Sequence, residues 1–369
     1  MSVRPGARPT SVLAGVGTAL PPHVYRQAAI TSAFARHVDP SGTHHATIER
    51  LHAATRVDTR HLVLPLEVYP TLDGFTGAND VFITSGAELG AEAVRRALDA
   101  AGLQAHDVDL FVTTTVTGVA APTLDARLVE PLGLRPDVRR IPMFGLGCVA
   151  GAAGIARLHD HLVGHPDDVA VLLSVELCSL TVQKDDVSMA NLVASGLFGD
   201  GAGAVVMVGE RRAARLGLAG PRVVGSVSRM YPDSERVMGW DIGATGFRIV
   251  LSADVADIVR TYLGDDVRDF LADHDTKLDQ VTGWVCHPGG PKVIEAMIET
   301  LELDEHALDV TWRSLAKVGN LSSSSVLHVL ADTLAQHAAE PDDAPPAGSP
   351  GVLLAMGPGF CSELVLLSW

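Results

Sequence analysis

The sequence predicts an α/β protein built from two similar halves, and three observations carry that expectation. Apolar β-branched runs alternate with helical stretches and small-residue turns along all 369 residues. A strand-then-loop, DLFVTTTVTG from Asp109, is echoed by QVTGWVCHPGG from Gln280, and GLGCVAGAAGIARLHDHL around Cys148 by VGNLSSSSVLHVLADTL around Asn320. The spacing also repeats, because Thr115 to His287 and Cys148 to Asn320 are both 172 residues. The strand at Val171 and its echo at Leu353 stand 182 apart, and the polar insert 340–350 (EPDDAPPAGSP) absorbs the difference. Chance similarity of short strand–helix units is the alternative. The boundary falls in the charged, glycine-containing stretch 210–221, which divides the chain into 1–215 and 216–369.

Taken in order, Ser11–Ala19 reads as a first core strand, since its apolar run is too short for the centre of a secretory signal. The arginines and prolines around it (Arg4, Pro5, Pro9) do not change that reading. Ala87–Ala101 is a helix closed by Gly102, followed by the strand Asp109–Thr117. Ile155–Val163 is a second helix, then Gly164 and Pro166 lead to the buried strand Val169–Val175. Gly199–Val208 (GDGAGAVVMV) is a strand whose glycines mark close backbone approach. Asp254–Leu271 is helical, Val281–Cys286 a strand and Ser323–His337 a helix, and Val352–Met356 and Leu364–Leu367 close the chain as strands.

Composition narrows the function. Hydrophobic residues make up 47% of the chain, enough to bury a substantial core. The formal net charge is −16, with a pI near 5.3, a balance that repels phosphate backbones and argues against nucleic-acid binding. No apolar run is long enough for a membrane helix. Four dispersed cysteines without a C-x-x-C pair argue against zinc ribbons and disulfide frameworks and fit a reduced cytoplasmic compartment.

Three residues have the right setting for chemistry. Cys148 follows a glycine-rich turn and precedes a helix, whose N–H groups and partial positive charge favour thiolate; a buried small hydrophobe is the plainer reading. His287 ends an apolar strand in CHPGGP, where α/β folds place ligands, or is merely packed there. Asn320 opens the second half's central helix as an N-cap or as an amide aimed at a developing oxyanion. If the halves pack around a pseudo-twofold, these positions converge and supply nucleophile, base and oxyanion donor, the set that thioester chemistry requires.

These motifs together resemble the type III polyketide synthases, the chalcone synthase-like branch of the thiolase fold, over nearly the whole chain. The resemblance rests on GLGCVAGAAG, LFGDGAGAVV, WVCHPGGPKV, VGNLSSSS and the closing MGPGFCSELVLL, in that order. It implies a layered α/β/α/β/α arrangement of two pseudo-duplicated halves. It implies further that Cys148 carries the acyl chain as a thiolate paired with the His287 imidazolium, and that His287 and Asn320 bind the thioester carbonyl. Phe198 corresponds to one of two gatekeeper phenylalanines, and Ile249 stands where the second is expected. Arg50 falls at a position that contacts coenzyme A phosphates, although the flanking lysines of the family appear as Thr47 and Ala54. Ser322, Gly289 and Gly290 fall at the cavity mouth, and Thr117, Ala121, Cys178 and Thr181 around the cavity. Ala121 replaces a methionine that crosses a dimer interface. The small residues resemble the bacterial alkylpyrone- and alkylresorcinol-forming members and imply medium-to-long aliphatic acyl-CoA starters. The implied partners are an acyl-CoA starter, malonyl-CoA and a second copy of the chain, with no cofactor and no metal.

Two rivals share the residue set: a ketoacyl-ACP synthase III-like enzyme performing one condensation, and a Cys–His–Asn hydrolase. A non-catalytic scaffold on the same fold is a third and weaker alternative. Among lesser signals, His159, His161 and His165 in HDHLVGH read as a solvated helix face rather than a metal site. Gly15 and Gly17 lack the third glycine of a dinucleotide fingerprint. Glu176 reads as a support of the site rather than an actor in it.

Overall fold

In the computed structural model, which describes residues 9–369, thirteen strands alternate with helices. They are β1 (Ser11–Ala19), β2 (His23–Arg26), β3 (Thr59–Leu62), β4 (Leu110–Thr115), β5 (Arg139–Phe144), β6 (Val169–Leu177) and β7 (Asp200–Gly209). After them come β8 (Arg222–Met230), β9 (Met238–Gly243), β10 (Gly246–Leu251), β11 (Gly283–Cys286), β12 (Pro350–Gly357) and β13 (Cys361–Ser368). Arg4 and Pro5 lie outside the described residues.

Nine strands form one sheet in the order β11-β12-β13-β8-β1-β7-β6-β4-β5. Its symmetry is internal: β4, β6, β7 and β1 repeat as β11, β12, β13 and β8, each set with one parallel and two antiparallel pairings. The sets meet edge to edge where Ser11 and Val12 pair with Val223 and Arg222. The edge strand β5 has no counterpart. Both connecting units consist of a short 3₁₀ turn and a 15-residue helix, Gly147–Val149 with Ala150–Gly164 and Ser322–Ser324 with Ser325–Ala339. Matched this way the offset is 175 rather than 172, so the counterpart of Cys148 is Ser323, and Asn320 lies three residues before it.

Side-chain alternation along the strands builds the layers. In β6, Val169, Val171 and Leu173 face an outer core with helix Gly74–Ala101, while Ala170 and Leu172 face a middle core. In β12, Val352 and Leu354 face a second outer core, and Leu353 and Ala355 the same middle one. The two 15-residue helices fill that middle layer, giving helix, sheet, helix, sheet and helix in succession.

Most expected elements are present, with three differences. The first long helix starts at Gly74, not Ala87. Its early glycines and Asn79 have low helix propensity, but Ala78 and Phe82 bury the face that Leu89 and Val94 continue, and packing overrides propensity. The stretch 254–271 is not one regular helix: a π turn at Val259–Leu263 interrupts it and keeps Val259, Leu263 and Val267 buried. Strands β2, β3, β5 and β8 and the hairpin β9–β10 are absent from the sequence expectation, and the hairpin becomes a wall of the larger hollow.

Of the four buried histidines among the described residues, three are pushed furthest towards the neutral form. Burial lowers the pKa of His52 and His328 to about 4 and of His287 to about 3. Unfolded, each titrates near 6.5, so below that pH the unfolded chain binds more protons and stability rises with pH. Stability should be complete above roughly pH 6.5 and fall towards pH 4, by up to about 1.4 kcal/mol per pH unit for each histidine. Urea midpoints between pH 7 and 5 check this, and His328→Gln should flatten the slope. A midpoint independent of pH over that range would show that these rings do not stay neutral.

Candidate active site

The site lies where the two 3₁₀ turns meet in the middle layer. Gly147 takes a left-handed φ of +59° directly before Cys148, and a Cβ there would stand 2.6 Å from the Pro358 ring. One turn on, a Cβ at Gly151 would stand 2.3 Å from the Ser323 carbonyl oxygen, so only glycine lets the second half's turn approach this closely. The result places Cys148 Sγ 3.7 Å from Ser322 Oγ across 174 residues of chain. Ser322 itself sits at φ +50°, a sparsely populated conformation for a residue with a side chain, and its N–H donates to Asn320 Oδ1 at 2.8 Å. That bond leaves Asn320 Nδ2 as the outward donor, 3.4 Å from the Gly289 carbonyl. The Asn320 backbone is fixed by a parallel bridge, accepting from Gly199 N–H and donating to the Leu197 carbonyl, both at 2.9 Å.

His287 continues β11, its N–H donating to the Leu354 carbonyl at 2.8 Å. Its ring is buried, and neither nitrogen has a hydrogen-bond partner. Burial pushes the Cys148 thiol up to about 12, with Glu176 adding to the rise and bonds to Ser322 and Asn320 opposing it. Burial likewise holds His287 neutral. Burial thus favours the thiol and the neutral imidazole over the expected thiolate–imidazolium pair, because separated charges in a dry site are poorly compensated.

Glu176 braces the nucleophile's surroundings. One oxygen accepts from Val116 N–H at 3.1 Å and Thr117 Oγ1 at 2.9 Å, and the other from Ser323 Oγ. Ser174 Oγ joins Ser323 and Ser324 at 2.7 Å each. The Thr117 hydroxyl is thus spent on the scaffold.

Two hollows lie beside the site. A small one, about 20 Å³, is lined by His287, Asn320 and Gly289 with Met238, Val293 and Phe360. A larger one, about 300 Å³, is lined by Thr117, Cys178, Thr181, Phe198 and Ile249 among others. Cys148 borders neither hollow. Phe198 lines the larger and, through its bridge to Asn320, touches the frame of the smaller. Gly290 takes φ +138° at the start of helix Pro291–Thr300.

Other expected contacts are not made within the chain. Arg50 stands on the exposed face of helix His45–Ala54, opposite buried Ile48 and His52, and lines neither hollow. Ala121 is exposed and also lines neither; its loop is pinned where Asn79 exchanges two bonds with the Val119 backbone. His159 is not on a solvated face but buried, bonded to Ser11 Oγ at 2.9 Å. His161, His165 and Asp168 cluster, but Asp168 is already bonded by Arg139 at 2.5 Å and His161 at 3.0 Å.

The walls that sequence reasoning missed are aromatic. Phe34, Phe75, Tyr69, Trp240 and Phe247 line the larger hollow, and Phe247 packs edge-on against Phe75 at 5.4 Å and beside Trp240 at 6.0 Å. Phe247 is two residues before Ile249 on β10, so the two-residue alternation of GFRIVL marked it. The gate expected to be half aromatic therefore has an aromatic neighbour on the same strand.

Two paired helix starts in the middle layer, with Cys148 and Ser322 in contact across them and His287 at the end of β11, give the arrangement of the thiolase-like fold. Models of chalcone and stilbene synthases match the chain at residues 2–211 (N-terminal domain) and 222–368 (C-terminal domain). The chain is 56% identical to a 1,3,6,8-tetrahydroxynaphthalene synthase of Streptomyces peucetius subsp. caesius, over 98% of this chain and 94% of that one. It is 30% identical to a phloroglucinol synthase of Pseudomonas fluorescens, over 88% and 89%. The solved tetrahydroxynaphthalene synthase of Streptomyces coelicolor, a bacterial type III polyketide synthase, superposes with a TM-score of 0.88 at 29% identity, over 98% of this chain and 99% of that one. The chain belongs to the chalcone and stilbene synthase family. It is a type III polyketide synthase, a transferase acting by decarboxylative condensation.

Proposed function

We propose that this synthase uses malonyl-CoA both to start and to extend the chain and releases 1,3,6,8-tetrahydroxynaphthalene. The observation that carries the reading is the aromatic wall of the 300 Å³ hollow, in a chain 56% identical to a synthase of that name. Flat rings pack favourably against such a wall. The ten ring carbons correspond to five two-carbon units, so five malonyl-CoA give one product, five carbon dioxide, five coenzyme A and one water.

Cys148 is the acyl-bearing nucleophile. On meeting the thiol, His287 takes its proton, and the two charges then stabilise each other. The next malonyl thioester places its carbonyl between His287 and Asn320 Nδ2, whose donors hold the enolate left when carbon dioxide departs. That enolate attacks the thioester on Cys148, and the lengthened chain reloads. Phe198 and Ile249 border the passage, Thr117, Cys178 and Thr181 the chamber, Gly289, Gly290 and Ser322 its mouth, and Arg50 offers a surface cation to coenzyme A phosphates.

A homodimer is part of this reading. Edge strand β5 is exposed along most of its length, with Ile141 49% and Phe144 48% exposed, an open apolar edge of the kind that another chain covers. Ala121 would then approach the partner. A light-scattering mass of a single chain would contradict this. No helix among the described residues is long and apolar enough to cross a membrane.

The test is mass spectrometry of products from purified enzyme with malonyl-CoA alone and with octanoyl-CoA added. Malonyl-CoA alone should yield the tetrol, with little octanoyl incorporation. A requirement for the alkyl starter, with pyrone or resorcinol products, would restore the aliphatic reading and overturn this one. Preference for malonyl on a carrier protein, with a single condensation, would favour the ketoacyl-ACP synthase III-like rival.

A further inference from the structure

Arg60 shares the inward face of β3 with Leu62 and lines the larger hollow, where it is only 2% exposed. Two of its three nitrogens are committed: Nε donates to Gln27 Oε1 at 3.1 Å and Nη1 to the Phe198 carbonyl at 2.7 Å. Nη2 has no partner. Buried donors are almost always paired in folded proteins. A guanidinium held at Nε and Nη1 is a rigid fork, so the direction of Nη2 is fixed by the wall and not by the side chain's own freedom.

The neighbouring carboxylate does not take that donor. Asp200 balances the charge of Arg60, but its oxygens accept from Val63 N–H and Ser179 N–H, both at 2.8 Å, and from Ser179 Oγ at 2.5 Å. Three neighbouring polar groups of the wall are likewise spent. Gln183 Nε2 donates to the Thr181 and Phe247 carbonyls, Asn191 Nδ2 to the Gln183 carbonyl, and Tyr69 bonds Ser179. His37 Nε2 is also unpartnered, but its residue is only half-buried, near the charged pair Lys184 and Asp185. Arg60 Nη1 bonds the Phe198 carbonyl, and Phe198 is bridged to Asn320, which places Arg60 beside the frame that holds the amide.

We propose that Arg60 is a substrate-binding residue whose Nη2 donates to a ketone oxygen of the growing poly-β-carbonyl chain and holds that chain in the hollow between extensions. Every extension adds a carbonyl, so a longer chain always offers an acceptor, whereas a purely apolar wall gives it no fixed register. Hydrogen bonds to charged groups contribute about 1.5–3 kcal/mol, which corresponds to roughly ten- to a hundredfold in retention against early release. The inference rests on the reading that this enzyme builds such a chain, whichever starter it uses.

The experiment compares wild type, Arg60→Gln and Arg60→Lys with malonyl-CoA. It measures acyl loading of Cys148, carbon dioxide release, the ratio of full-length product to shortened pyrones, and the melting temperature. In Arg60→Gln the product ratio should fall about tenfold more than carbon dioxide release does, with Arg60→Lys recovering part of it. The ratio is read against the wild-type enzyme's own product, so a different wild-type product would sink the proposed function and leave this test standing. An unchanged ratio in folded Arg60→Gln overturns the proposal. Equal losses of loading, decarboxylation and product, tracking a lower melting temperature, also overturn it, because they mark a purely structural arginine. If the glutamine variant does not fold, the lysine variant carries the same comparison.

Discussion

Cys148→Ala should abolish acyl loading and product formation altogether. Of the four cysteines, only Cys148 combines a glycine-set left-handed turn, a helix start and contact with the opposite half through Ser322. The alternative nucleophile is Cys178, which lines the larger hollow. Its thiol is also pushed well up by burial, and its 3₁₀ turn contains no histidine. Alanine removes the sulfur from a fully packed position and creates little space, so the variant should fold. Intact-mass spectrometry after incubation with malonyl-CoA is the measurement. An acyl adduct on the alanine protein would show that another residue carries the chain.

His287 and Asn320 should show the next largest effect. Removing either donor from the carbonyl site should slow malonyl-CoA decarboxylation by about a hundredfold or more. Asn320→Ala also deprives Ser322 N–H of its acceptor. Asn320→Asp is therefore the sharper variant, since it keeps Oδ1 for Ser322 while replacing the outward Nδ2 donor with an oxygen that repels the enolate. If Asn320→Asp releases carbon dioxide at the wild-type rate, the amide is a helix cap and no oxyanion donor. For His287, glutamine keeps a neutral donor while alanine keeps none. A wild-type decarboxylation rate in His287→Ala would remove the imidazole from the mechanism. Loading of Cys148 in His287→Gln separates its two proposed duties, since glutamine donates a hydrogen bond but does not accept the thiol's proton.

Much of this architecture is legible in one dimension. The first strand, Ser11–Ala19, is found with its expected bounds, because an alternating small and apolar run between polar flanks has few other uses. The repeat was visible as well, since both halves keep a strand, a glycine- or serine-rich turn and a small-faced helix. Its register was not. Sequence similarity pairs Cys148 with Asn320, whereas the helices pair Cys148 with Ser323. Three residues more or less in a loop leave hydrogen-bonded elements intact, so backbone geometry and motif spacing need not agree. The long helix was shortened for a similar reason: propensity falls where glycines cluster, and burial of Phe82 is invisible before its partners are known.

The sequence by itself determined seven of the strands, the two central helices, and Cys148, His287 and Asn320 as residues in turns suited to chemistry. Local periodicity and turn chemistry are properties of a few neighbouring residues and are written there. Only the tertiary structure decided the rest. It brought Cys148 against Ser322 through the close approach at Gly151, and assembled one aromatic wall from Phe34, Phe75, Trp240 and Phe247. It left Arg60 Nη2 without a partner and buried the thiol and imidazole so that their neutral forms are favoured. Each of these depends on which distant segments exclude water from a group, and burial is a property of the packed chain, not of the residue.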